Sequence, residues 1–159
     1  KKLAQMIDVT KLPTENAITR EKGKPVNTLY VFTDPRCPFC KKLEAELVQL
    51  DNVRIHTFLT PLTSLHPDAK EVSARILCAK DKAQAFEDFM LKGKEIAEPA
   101  KCQTTLDANK RLMSELGIKG TPTIFFENGE RATGALSAEA IQKKFEAMAA
   151  IKKAVKEAN

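Results

Sequence analysis

The run Thr28-Leu-Tyr-Val-Phe-Thr33 is apolar, β-branched and aromatic, and it stops just short of Arg36-Cys37-Pro38-Phe39-Cys40. Such a run reads as a buried strand. Beyond the cysteines, Leu43, Leu47 and Leu50 recur at helical spacing, which predicts a helix beginning near Pro38. Proline suits the first helical turn, where the N–H it lacks has no partner anyway. The cysteines are therefore expected where a strand hands over to a helix. A thiol at a helix start faces unpaired N–H groups and the positive end of the dipole, which favour thiolate over thiol. Arg36, Lys41 and Lys42 add positive charge around it. Cys40 follows one helical turn later, where a second sulfur can resolve a mixed disulfide. This arrangement suits thiol–disulfide exchange. Phe39 is expected to be exposed, and an exposed aromatic beside a reactive thiol suits contact with unfolded chains.

The rest of the chain has a definite order. Residues 53–60 alternate as a second strand, ended by Pro61. Helical patterns follow over about 68–80, 82–92 and 106–116, with Asp68 and Asp107 as cap or first-turn residues. Residues 123–127 read as a third strand, Asn128-Gly129 as a hairpin turn and 130–133 as a short fourth strand. A last helix is expected from about Ser137, with Ile141, Phe145, Met148 and Ile151 on its apolar face. The order is β-α-β, a helical insertion at about 63–117, then β-β-α. That is the α/β thioredoxin fold with helices inserted at its middle crossover. Residues 1–26 read as a lead-in or linker to a domain over 27–159. In that segment Leu3, Met6 and Ile7 suit one helical turn, Leu12-Pro13 breaks it and Gly23-Lys24-Pro25 closes it.

Charge excludes less than it first suggests. The net charge is +5, but the lysines are spread among 21 acidic residues, and one Tyr with no Trp leaves little for base stacking. A solvated basic surface is expected, not a nucleic-acid partner. No apolar run reaches the length of a membrane span, so no membrane insertion is expected. His56 and His66 have no partner visible in the sequence and are read as structural. Met6, Met90, Met113, Met148, Phe86 and Phe89 are read as core. The four cysteines form one close pair and one distant pair, Cys78 and Cys102. An even count leans towards an oxidising compartment. A four-cysteine zinc site is the alternative, although such sites usually show two close pairs.

Four motifs occur in order at compatible distances. They are Phe32-Thr33-Asp34 leading into Cys37-Pro-Phe-Cys40, Leu77-Cys78-Ala-Lys-Asp-Lys-Ala-Gln-Ala-Phe86, Cys102, and Gly117-Ile-Lys-Gly-Thr-Pro-Thr123. Over about residues 27–150 the chain resembles the catalytic domain of the bacterial periplasmic disulfide isomerases and reductases of the DsbC/DsbG type. The resemblance implies that Cys37 is the exposed nucleophile and Cys40 the resolving thiol, with a redox-active Cys37–Cys40 disulfide and neither cofactor nor metal. It makes Pro122 the cis-proline opposite the cysteines and Thr121 the residue that touches the active sulfur. The exposed backbone of Thr121 would then pair with an extended substrate segment, with Phe39 also in contact. The plainer alternative is that Pro122 simply starts a strand. Cys78 and Cys102 would form the family's structural disulfide, worth about 3.5 kcal/mol in the chain-entropy account.

The same resemblance implies a periplasmic protein whose signal peptide has been removed. Its expected partners are disulfide-containing proteins and a membrane or soluble redox partner that resets the site. Two departures stand out. Thioredoxin-like proteins often bury a carboxylate six residues before the first cysteine, where this chain has Val31, and Asp34 is expected to cap the strand-to-helix loop instead. Family members also carry an N-terminal dimerisation domain, for which residues 1–26 are too few. This chain is expected to be a monomer, and a dimer if such a domain precedes it. The expected function is a thiol–disulfide oxidoreductase that reduces or isomerises disulfides. A chaperone-like module for unfolded chains and a zinc-stabilised structural domain are the alternatives.

Overall fold

The computed structural model describes residues 6–159. Its centre is a five-stranded sheet in the order β1-β3-β2-β4-β5. The strands are β1 (Ile18–Lys22), β2 (Asn27–Thr33), β3 (Val53–Leu59), β4 (Thr123–Phe126) and β5 (Arg131–Thr133). The helices are α1 (Pro38–Leu47), α2 (Ala69–Leu77), α3 (Lys82–Lys92), α4 (Leu106–Glu115) and α5 (Ala138–Ala158). β2 and β3 pair in parallel, with Leu29 opposite Ile55 and Phe32 opposite Phe58, while every other neighbouring pair is antiparallel. A parallel pair needs a crossover, and α1 supplies it. This is the expected thioredoxin fold, and α2 to α4 form the insertion between β3 and β4.

The near-continuous apolar run of β2 is explained by its central place, since both its faces are covered. On one face Leu29, Val31, Ile124 and Phe126 meet Leu43 and Leu47 of α1 and Ile141 and Phe145 of α5. On the other, Phe32, Phe58 and Phe125 meet Met113 and Ile118, together with Val9 and Leu12 from the turns before β1. Phe32 stacks on Phe58 at 4.8 Å between ring centroids. A third cluster joins Cys37, Cys40, Ile18 and Leu59 to Val72 and Ile76 of α2 and Phe86, Phe89 and Met90 of α3. The insertion is thus the wall against which the cysteines pack.

Helix ends follow local chemistry. Asp81 caps α3 by accepting from the Gln84 N–H at 3.1 Å, and Ser137 caps α5 by accepting from the Ala140 N–H at 3.1 Å. Gly129 closes the β4–β5 hairpin at φ +88°, and a Cβ there would collide with the Ile7 carbonyl. Ile7 N–H in turn donates to the Gly129 carbonyl at 3.1 Å, so Ile7 docks on this hairpin.

The linker reading needs correction within residues 1–26. Ile18–Lys22 is a strand of the sheet, antiparallel to β3, and Val9 and Leu12 are buried. Met6 and Ile7 are not helical, and Leu3 lies outside the described residues. β1 was hidden because one of its inward positions is an arginine. Arg20 is buried, its Nη1 lies 2.7 Å from Glu44 Oε1 on α1, and its Nη2 donates to Thr57 Oγ1 at 3.2 Å. The guanidinium also sits 4.9 Å from the centre of the Phe86 ring and reaches Glu87 at 3.2 Å.

Removing one member of a buried ion pair strands the other charge and typically costs about 3–5 kcal/mol, whereas replacing both with apolar groups can be neutral. Arg20→Met is therefore expected to lower the urea midpoint sharply, and Arg20→Met with Glu44→Leu to recover much of the loss. Equal loss in the single and double variants would show that the pair holds β1 by more than charge.

Candidate active site

The site grows from the junction between β2 and α1. The chain leaves β2 at Thr33, and Asp34, wholly buried, organises the turn. Its Oδ1 accepts from the Arg36 N–H at 2.8 Å, its Oδ2 from the Leu62 N–H at 2.9 Å, and Oδ2 lies 2.8 Å from His66 Nδ1. Asp34 therefore fastens the turn to the loop after β3 as well as capping it. Cys37 occupies the N-cap of α1, with its N–H donating to the Asp34 carbonyl at 3.0 Å, and Pro38 fills the first helical position. The Cys37 carbonyl accepts from the N–H of Cys40 at 3.1 Å and of Lys41 at 3.1 Å, which sets Cys40 one turn inward.

The two sulfurs differ in environment. Cys37 retains 7 % of its surface and Cys40 none. The expected exposed nucleophile is thus a nearly covered one, because α2, α3 and the loop at Thr121 close around it. Cys37 Sγ donates to the Thr121 carbonyl at 3.7 Å, and the Thr121-Pro122 bond is cis. Asp34 N–H donates to Cys40 Sγ at 3.4 Å. Burial pushes the Cys40 thiol up to about 12, against the opposing pull of the Asp34 N–H and the hydroxyls of Thr121 and Thr33. Phe39, between the cysteines, is 62 % exposed.

Several expectations change at this point. Arg36 does not offer free charge to Cys37. Its guanidinium binds Asp68 at 2.9 Å and Glu95 at 2.9 Å, and it lies 5.2 Å from the centre of the Phe89 ring. Lys41 faces the same ring at 5.2 Å. Asp68 stands at the N-cap position of α2, but its side chain is turned to Arg36 instead of capping. Both histidines have partners, contrary to the sequence reading: His66 joins Asp34, and His56 Nδ1 lies 2.8 Å from Thr19 Oγ1 with its ring stacked on Tyr30. Burial, then the nearby Arg54, lowers the pKa of His56. No spacing rule connects residues as far apart as Asp34 and His66, so nothing local signalled their contact. Val31 is buried in the sheet. The two buried carboxylates among the described residues, Asp34 and Glu44, are engaged elsewhere, by His66 with backbone N–H groups and by Arg20 respectively.

Cys78, at the end of α2, is disulfide-bonded to Cys102, in the segment between α3 and α4. Arg75 reinforces the same junction by donating to the carbonyls of Ile96 at 2.9 Å and Ala97 at 3.1 Å. With these sulfurs bonded to each other, two of the four that a zinc site would need are occupied. Cys37 and Cys40 carry free thiols. The arrangement can perform nucleophilic exchange: a sulfur at the mouth, a second sulfur shut behind it, and the Thr121 carbonyl before the cis-proline opposite.

Comparison with known proteins shows the family. The family described as thioredoxin-like domain matches residues 12–149. The "Probable thiol:disulfide interchange protein DsbC" of Bordetella avium is 38 % identical over 130 residues, 82 % of this chain and 46 % of that protein. The thiol:disulfide interchange protein DsbC of Escherichia coli is 34 % identical over 110 residues, 68 % of this chain and 46 % of that protein. The chain thus spans about half the length of these relatives. The crystal structure of a disulfide interchange protein from Neisseria gonorrhoeae superposes with a TM-score of 0.80 at 34 % identity, covering 84 % of this chain and 97 % of that one. The resemblance read from the four motifs is therefore a real one.

Two outcomes are expected from the cysteines. The Cys78–Cys102 bridge spans a sequence separation of 24. Replacing both residues with Ala should cost about 3.5 kcal/mol of stability in urea unfolding while leaving the reaction of Cys37 with a disulfide reagent unchanged. The second concerns pH. Cys40 rises from an ordinary 9.0 to about 12, so between those values the unfolded chain has lost a proton that the folded one keeps. The reduced protein should lose about 1.4 kcal/mol of stability per pH unit across that window, relative to Cys40→Ala. Parallel alkaline profiles for the two proteins would contradict the burial argument.

Proposed function

Because the chain belongs to the thioredoxin-like domain family, we propose that it is the catalytic part of a thiol–disulfide oxidoreductase that reduces or isomerises disulfides in periplasmic proteins. The observation that carries this reading is the contrast between Cys37, hydrogen-bonded to the Thr121 carbonyl at the mouth, and Cys40, closed off behind it. The names of the relatives support the activity.

The chemistry follows from the positions. Cys37 attacks a substrate disulfide, a bond forms between Cys37 and one substrate sulfur, and the other substrate sulfur leaves as thiolate. In reduction Cys40 then loses its proton and attacks Cys37, which releases the second substrate sulfur and leaves a Cys37–Cys40 disulfide. A membrane or soluble dithiol partner resets the site. In isomerisation a substrate thiol, in place of Cys40, releases Cys37 with a new substrate disulfide. No cofactor enters either sequence. Thr121 and Pro122 hold an extended substrate segment beside Cys37, and the exposed ring of Phe39 adds apolar contact. Cys78–Cys102 is structural, and a bridge of that kind persists in an oxidising compartment, which favours the periplasm. Among the described residues no helix is long and apolar enough to cross a membrane. Acting alone as a monomer, the chain has only the surface around Phe39 and Thr121 to hold a misfolded substrate, so isomerisation should be weak beside reduction.

Trapping tests the roles directly. With a scrambled multi-disulfide protein, Cys40→Ser is expected to accumulate a covalent adduct through Cys37, and Cys37→Ser to form none and to lose turnover by several orders of magnitude. Wild type should reduce a small disulfide catalytically at substoichiometric enzyme. Adduct formation undiminished in Cys37→Ser would remove that residue from its role.

A further inference from the structure

Two hydroxyls beside Cys40 have no partner while it is a thiol. Thr33, the last residue of β2, is wholly buried, and its carbonyl accepts from Thr60 N–H at 2.8 Å and Thr60 Oγ1 at 3.3 Å. Its own Oγ1 is buried without a hydrogen-bond partner, and so is Oγ1 of Thr121. Orphaned polar groups of this kind are uncommon in folded proteins and ask for an explanation. Thr33 immediately precedes Asp34, whose N–H donates to Cys40 Sγ at 3.4 Å, and both hydroxyls pull the Cys40 thiol towards its charged form. A thiol sulfur is a weak acceptor, whereas a charged acceptor roughly doubles the strength of a hydrogen bond. The donors are therefore idle in one state of Cys40 and engaged in the other.

We propose that Thr33 stabilises the Cys40 thiolate, its hydroxyl donating to the sulfur during the interval between cleavage of the Cys37–Cys40 bond and protonation of Cys40. This rests on the reading of Cys37 and Cys40 as the exchange site. It also answers the missing carboxylate at Val31. The buried surroundings offer Cys40 donors that hold its negative charge, in place of an acid–base group that moves its proton. Thr121 Oγ1 is the other such donor, but the Thr121 carbonyl also contacts Cys37, so Thr33 is the position at which the inner sulfur is tested separately.

Glutathione is the probe. Its thiolate attacks Cys37 of the oxidised site, forming a glutathione–Cys37 bond. The Cys37–Cys40 bond breaks, and the electron pair leaves with Cys40, which takes a proton from solvent. The reverse step is attack of Cys40 on the mixed disulfide. Both directions pass through the same partly charged Cys40 sulfur, but Cys40 carries no charge in the stable states at neutral pH. A donor to that charge therefore changes both rates together and leaves the equilibrium alone.

The experiment compares Thr33→Val, which keeps the β-branched shape, with Thr33→Ser, which keeps the hydroxyl. Opening and closing rates are measured by acid quench and mass spectrometry, and the equilibrium constant in glutathione buffers. Thr33→Val is expected to slow both rates about five- to tenfold with an unchanged equilibrium constant, and Thr33→Ser to stay within about twofold of wild type. Should Thr33→Val fail to fold, Thr33→Ala carries the same comparison. Unchanged rates in Thr33→Val, beside a wild type that reacts normally, would overturn this inference alone. A shifted equilibrium constant, or Thr33→Ser as slow as Thr33→Val, would make Thr33 a packing residue. A wild type that forms no mixed disulfide at Cys37 would overturn the site itself and this inference with it.

Discussion

Parallel pairing of β2 with β3 is the constraint on which the rest depends. Two parallel neighbours cannot be joined by a tight turn, so the chain must leave the end of β2 and travel back along the sheet before β3 begins. α1 makes that return. Its N-terminus is thereby fixed beside the end of β2, where helix N–H groups lack partners and the chain must turn sharply. Cys37 stands at that N-cap, and Cys40 is carried one turn inward against the sheet. The difference between the two sulfurs is thus a result of topology before it is a result of any side chain.

Much of this was legible in the sequence, for identifiable reasons. β2, α1 and α5 announce themselves because their apolar residues repeat with the period of the element, and the Cys-x-x-Cys pair sits at the change of period. β1 was missed because Arg20 holds an inward position that a pattern reader assigns to solvent. What makes that arginine tolerable is Glu44, which is likewise buried and lies on α1. The contact of Asp34 with His66 was missed for the same reason: each partner is unremarkable in its own segment, and only the folded sheet brings the two loops together. Charge near Cys37 could be counted from the sequence, but whether Arg36 was free to use it could not.

The helical insertion belongs to the site more closely than its sequence position suggests. Val72, Ile76, Phe86 and Phe89 share one apolar cluster with both cysteines, and Asp68 and Glu95 hold Arg36 from the same side. The Cys78–Cys102 bridge and the contacts of Arg75 tie the far end of this wall. Rigidity is useful here, because the proposed exchange needs Cys40 to stay within reach of Cys37 and out of reach of water.

The pinning of Arg36 has a consequence for ionic strength. Dissolved salt screens exposed side-chain charges within about 10 Å at 0.1 M, so a thiol activated by mobile surface cations grows less reactive as salt is added. Arg36 already faces two carboxylates, and the donor to the Cys40 sulfur is the Asp34 backbone N–H. Dipoles fixed inside the fold are out of reach of dissolved ions. If Cys37 and Cys40 exchange disulfides as proposed, their rate should change little between dilute and concentrated salt.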